Sequence, residues 1–194
     1  VRVEIALIRH GATAGNRRGA YIGCTDEPLC VESTRQLQLD RQRGRYPTVE
    51  TVFCSPLRRC VQTAQIVYPQ RQAMCVEALR ECDFGQFEGK SHHQLSGHPA
   101  YQRWLDSGGR TAFPGGEDPV QFRRRCWRGF TELCAGLYRD ERAAVVCHGG
   151  TIMAVLEQCG RPRGDFYRWQ VKNGGGYRFY FDTETQMASE IRPL

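Results

Sequence analysis

Residues 5–16 read "IALIRHGATAGN". Four apolar positions, Ile5 to Ile8, run without alternation straight into Arg9, His10 and Gly11. A continuous apolar run suits a strand buried on both faces, as in a parallel sheet covered by helices. In open sheets of that kind, ligands bind at the carboxyl ends of the strands. An arginine beside an imidazole at that end therefore reads as part of a site. "TVFCSP" (51–56) and "AAVVCHGG" (143–150) repeat the form, each a short apolar run halted by a small polar residue or glycine.

Each of these strands leads into a helix. Ser55 as N-cap and Pro56 as first helical residue predict a helix over "LRRCVQTAQIVY", closed by Pro69. "GGTIMAVLEQCG" predicts another, stopped near Gly160. "QAMCVEALREC" (72–82) reads as a further strand with Glu81 near its end. Asp118 and Pro119 open a long amphipathic helix whose apolar face carries Phe122, Cys126, Phe130, Leu133 and Leu137. Residues 84–118 are polar and glycine-rich, with room for short helical pieces only. "GGYRFYFDTETQMASEIRPL" reads as a hairpin at a sheet edge. Strands alternating with helices predict an α/β fold, a three-layer α/β/α sandwich with a mostly parallel central sheet and an antiparallel edge hairpin.

The bulk composition narrows the class. With 194 residues, 40% apolar and 25% charged, the chain has the balance of a soluble globular protein and the length of one domain. No apolar run approaches the roughly 20 residues of a membrane span. The first strand starts at once, without the pattern of a targeting peptide, so a cytoplasmic location is expected. The net charge is +6, and Lys90 and Lys172 are the only lysines. Arginine suits anionic partners through its planar fork, but the charge is scattered and lacks the dense runs of a nucleic-acid arm. Ten cysteines are spread without any C-x-x-C pair, which predicts reduced, mostly buried thiols rather than disulfides or zinc.

The strand ends bring together Arg9, His10, Arg58, Glu81 and His148, with helix N-termini beside them. Cationic forks, imidazoles and unpaired N–H groups make a phosphate pocket that needs no metal or cofactor. Alternatives stay open at single positions. Arg58 has a neighbour in Arg59, read here as a surface residue. Asp83 and Glu88 rival Glu81 as the acid. His92, His93 and His98 lie in a loop-like stretch and read as solvated surface, and Cys147 reads as a buried strand residue.

"RHG" (9–11), "SPLRRCVQTA" (55–64), "LRECDFGQFEG" (79–89) and "CHGG" (147–150) together resemble the histidine phosphatase, or phosphoglycerate mutase-like, superfamily. The four blocks stand in that family's order. The resemblance implies that His10 is a nucleophile forming a phosphohistidine and that Glu81 is the general acid and base. It further implies that Arg9, Asn16, Arg58 and His148 hold the phosphoryl oxygens. It ranks Glu81 above Asp83 and Glu88. It also implies a single domain over 1–194, with 84–118 as a substrate-covering insertion.

"RHGATAGNRRGAYIGCTDEPLC" and "FPGGEDPVQFRRR" resemble the alpha-ribazole phosphatase branch, implying a small phosphomonoester such as alpha-ribazole 5′-phosphate and a place in cobalamin assembly. Ser33, where a glycine is customary, and Lys90 depart from that branch's pattern. A bisphosphoglycerate-dependent phosphoglycerate mutase and a non-catalytic phosphate or nucleic-acid binder are the alternative readings. Tyr21, Phe84, Phe87, Tyr101 and Trp104 are candidate aromatic walls. The sequence carries no signal for oligomeric state.

Overall fold

The computed structural model describes residues 1–161 and 165–194. Among them six strands form one sheet: β1 (Arg2–Arg9), β2 (Thr51–Cys54), β3 (Met74–Cys75), β4 (Arg142–Cys147), β5 (Gly176–Asp182) and β6 (Met187–Pro193). Their spatial order is β3-β2-β4-β1-β5-β6. The pairs β1/β4, β4/β2 and β2/β3 are parallel, while β5 runs antiparallel to β1 and β6 to β5. The expected parallel sheet with an antiparallel edge hairpin is thus present. The helices are the single turn α1 (Ala14–Arg17), α2 (Val31–Gln42), α3 (Arg58–Val67), α4 (His92–Leu95), α5 (Pro99–Asp106), α6 (Pro119–Ala135) and α7 (Gly149–Cys159).

The unbroken apolar run of β1 feeds two cores. Val3, Ile5 and Leu7 face α6 and α7, meeting Phe130, Leu133, Ile152 and Val155. Ala6 and Ile8 face α2 and α3, meeting Leu37, Cys60, Ala64 and Val67. Burying each large aliphatic side chain is worth about 1.5–3 kcal/mol. A polar residue on either face would forfeit that, so the strand cannot alternate. The apolar face expected of α6 is buried from Phe122 through Leu133 and on to Leu137, but the helix stops at Gly136.

Three features differ from the sequence reading. The strand expected over 72–82 is only Met74–Cys75; a 3-10 turn at Glu77–Leu79 follows and drives Leu79 into the core. Glu81 therefore sits in a loop beyond the sheet. The helix expected from Pro56 begins at Arg58, and Ser55 does not cap it; the Arg58 N–H instead donates to Asp26 Oδ1 at 2.7 Å. Helix α2 has no apolar stripe, burying only Leu37 and Asp40, and its sequence shows no helical period.

In the irregular stretch, α4 and α5 are the short helical pieces expected. They pack Leu95 and Tyr101 with Phe87, Phe113, Phe122 and Cys126 in a third core against α6. Every cysteine is free. Cys24 and Cys75 are exposed and Cys30 is half-buried; the rest are buried as small apolar residues. No helix among the described residues is long and apolar enough to cross a membrane.

Candidate active site

His10 leaves the end of β1 and is 3% exposed. Its backbone is tied on both sides: the N–H donates to Cys147 O, and the carbonyl accepts from Gly174 N and Asn173 Nδ2. Its Nδ1 lies 2.6 Å from Gly11 O. A carbonyl can only accept, so Nδ1 carries the proton and Nε2 keeps its lone pair. Burial, then the charges of Arg59 and Arg9, hold the imidazole's pKa well below 6.5. His10 is thus neutral, with one nitrogen committed and the other available as a nucleophile.

The arginine beside it is Arg59, and this corrects the choice of Arg58. Arg58 is exposed, whereas Arg59 is fully buried. The cause is the later start of α3. Cys60, Thr63, Ala64 and Val67 form its buried face, and Arg59 shares that face one turn below Thr63. Arg58 falls about 100° away around the axis, toward solvent. Arg59 Nη1 donates to Thr25 O and Nη2 to Gly23 O, both at 2.7 Å. Its Nε is buried without a partner.

Arg9 shows the same pattern. Nη1 donates to Val171 O at 2.6 Å, while Nε is buried and unpaired. An orphaned buried donor costs about 1–3 kcal/mol, more when charged. Two guanidinium forks with orphaned N–H groups beside a neutral imidazole suit a polyoxygen anion.

His148 follows β4 and is fully buried, its ring centroid 5.2 Å from that of His10 in an edge-on arrangement. Burial and the nearby Arg59 keep it neutral. Ser55 Oγ lies 2.7 Å from His148 Nε2. That contact, with Cys60 Sγ 3.5 Å from the same nitrogen, fixes the orientation of the His148 ring. Ser55, a helix cap by its sequence context, is therefore a site residue that orients an imidazole.

Glu81 faces the start of α7. Its Oε2 accepts from Gly150 N and its Oε1 from Cys82 N, each at 3.0 Å. Burial pushes its pKa above 4.5, outweighing those two hydrogen bonds and the charges of Arg59 and Arg9. A side chain at Gly150 would press on the Glu81 carboxylate and Phe122, so glycine leaves the acid its place. The rival acids are committed elsewhere: Asp83 to Gly85 N, and Glu88 to the backbone of residues 23–25.

Asn16, on α1, lines the pocket, as does Arg9. Its Oδ1 accepts from Thr13 N and Asn173 Nδ2, so the group left for a ligand is its amide NH2. Asn173 is not legible in the sequence as a site residue. Its only signal is the "NGGG" turn that lets residues 171–175 strap across Arg9 and His10. Cys147 is buried on β4, where burial holds its thiol protonated. His92, His93 and His98 are exposed, with His92 bonded to Tyr101.

A cavity of about 380 Å³ opens beside Arg9 and Glu81. Arg9, Asn16, Glu81, Gly149 and Gly150 line one part of it, and the buried His10, Arg59 and His148 lie outside its lining. Tyr21, Phe84, Trp104, Phe113, Phe122 and Phe166 line the remainder. Of the expected aromatic walls, Phe87 and Tyr101 are core residues behind that surface.

Two buried imidazoles, two guanidinium forks and a buried carboxyl gather beyond the carboxyl ends of the parallel strands, a set chemically suited to a phosphate ester. The chain belongs to the histidine phosphatase superfamily (branch 1), whose family model matches residues 5–191. It is 28% identical over 177 residues to adenosylcobalamin/alpha-ribazole phosphatase of Escherichia coli (strain K12), covering 89% of this chain and 87% of that protein. The crystal structure of alpha-ribazole phosphatase from Shigella flexneri superposes with a TM-score of 0.83 at 25% identity, covering all of this chain and 96% of that one. A phosphoglycerate mutase structure from Thermus thermophilus superposes at 0.70 with 30% identity, covering 98% and 99% of the two chains.

Proposed function

We propose that this chain is a metal-independent phosphomonoesterase acting through a phosphohistidine at His10. The observation that carries the reading is the His10 Nδ1–H bond to Gly11 O, which leaves Nε2 unprotonated in a cationic pocket. The Nε2 lone pair attacks phosphorus, the P–O ester bond breaks, and protonated Glu81 gives its proton to the leaving oxygen. Water then attacks the phosphohistidine while Glu81 takes its proton. The P–N bond breaks, its electron pair returns to Nε2, and inorganic phosphate leaves. Arg9, Arg59, Asn16 and His148 hold the phosphoryl oxygens as charge builds on them, the role a metal plays elsewhere.

The pH dependence follows in sign. His10 must be neutral, so kcat/KM falls only as pH drops below its depressed pKa, placing the acid limb under 6.5. Glu81 must be protonated, so the alkaline limb lies above 4.5. Rates on an alkyl phosphate, corrected for the substrate's own ionisation near pH ~6, should show both limbs. Glu81→Gln should abolish the alkaline one. An acid limb at or above 6.5 contradicts the assignment.

For the leaving group, the aromatic walls favour a flat ring system, as in alpha-ribazole 5′-phosphate, and the 84–118 segment supplies Phe84, Trp104 and Phe113 to cover it. Beyond Arg9, Arg123 is the one cation among the described lining residues. It is already paired with Glu157 at 3.3 Å and stacked over Phe166. A sugar-acid carboxylate therefore finds little unspent charge. Phosphate release across a panel in chelator should give alpha-ribazole 5′-phosphate a kcat/KM at least about 10-fold above 3-phosphoglycerate and phosphoserine. Equal values, or formation of 2-phosphoglycerate, would reject this substrate.

A further inference from the structure

Glu88 touches none of the groups above, yet its carboxylate is the most heavily bonded near the site. Oε1 accepts from Gly23 N at 3.0 Å, Cys24 N at 2.9 Å and Phe84 N at 3.1 Å. Oε2 accepts from Gly23 N at 3.1 Å, Thr25 N at 3.4 Å and the Thr25 hydroxyl at 2.7 Å. Successive backbone N–H groups thus wrap one anion as a nest does. The opposite edge of the same segment does different work. The carbonyls of Gly23 and Thr25 are the two acceptors that hold the Arg59 guanidinium. A side chain at Gly23 would collide with the Cys82 carbonyl, Glu88 and Phe84, so segment and carboxylate are fitted to one another.

We propose that Glu88 is a positioning residue for Arg59: it fixes residues 23–25 so that their carbonyls aim the buried guanidinium at the phosphoryl group. The inference rests on the phosphoryl-transfer reading of the site. Arg59 has no carboxylate partner of its own among the described residues, so its orientation depends on two carbonyl dipoles. Those dipoles are only as well placed as the segment that carries them. A buried fork left to turn freely loses the geometry that makes it effective on an oxyanion.

The test is a double-mutant cycle with Glu88→Gln and Arg59→Ala, reading kcat and KM on p-nitrophenyl phosphate, inorganic phosphate affinity by calorimetry, and the thermal midpoint. Glu88→Gln alone should lower kcat and weaken phosphate binding by about 10–100-fold, as loss of an outer partner does. In the Arg59→Ala background it should add almost nothing. Glu88→Asp should recover part of the loss. Losses that multiply across the cycle, or unchanged phosphate affinity in Glu88→Gln, overturn the inference. If Glu88→Gln does not fold, Thr25→Val removes the single hydroxyl contact and carries the same cycle. The calorimetric arm needs no turnover. An inactive wild type whose phosphate affinities are still coupled would therefore sink the phosphatase reading and leave the role of Glu88 standing.

Discussion

His10→Ala should reduce turnover of any phosphomonoester by at least about a thousandfold, because in the proposed mechanism the lost group forms and breaks the covalent bond. Wild type quenched in alkaline denaturant during turnover should carry one phosphoryl group that is lost on acidification and absent from the variant. The fold should survive, since among the described residues the side chain's one polar contact is with the adjacent Gly11 carbonyl. A substitution that removes an imidazole without removing a cation also leaves the pocket's affinity for phosphate largely intact. Weak activity with tight phosphate binding is therefore the expected signature. Near-normal rates in His10→Ala would end the covalent mechanism.

The second large effect separates two adjacent arginines. Arg59→Ala should cost about 100–1,000-fold in kcat, the scale seen when one donor to a developing oxyanion is removed. Arg58→Ala should stay within about threefold, as surface changes usually do. Arg59 fills buried space, so its alanine variant also needs a thermal midpoint. Arg59→Lys answers the same question with less lost volume, keeping the charge while losing the fork. If Arg58→Ala proves the crippled variant, the placement of α3 is wrong at its first turn.

That pair of residues shows where the sequence is informative and where it stops. β1 and β4 are legible because an unbroken apolar run has few other uses, and with them come Arg9, His10 and His148. The end of β2 is legible too, but not the phase of the helix after it. Ser55 and Pro56 carry strong local capping preferences, and the chain overrides them by giving Ser55 to His148 and the first N–H to Asp26. Reading the period backward from Val67 through Thr63, four residues at a step, lands on Arg59 and leaves Arg58 off the buried face. Glu81 is found through its family block but misplaced on a strand. The 3-10 turn that presents it is set by Leu79 seeking the core, a tertiary demand with no local signature. Asn173 and Glu88 escape notice as contributors because each acts on backbone groups, and any chain supplies those.

The pairing of β1 with β4 has a temporal consequence. It joins residues 4–9 to residues 142–147, so His10 meets His148 only through a very long loop. Closing such a loop costs entropy that no local contact repays. Until β1 and β4 have paired, the proposed site lacks one of its two imidazoles. The proposed mechanism thereby depends on one of the most distant pairings in the chain, and a lesion that loosens β1 from β4 should separate the two rings before it unfolds either helix layer.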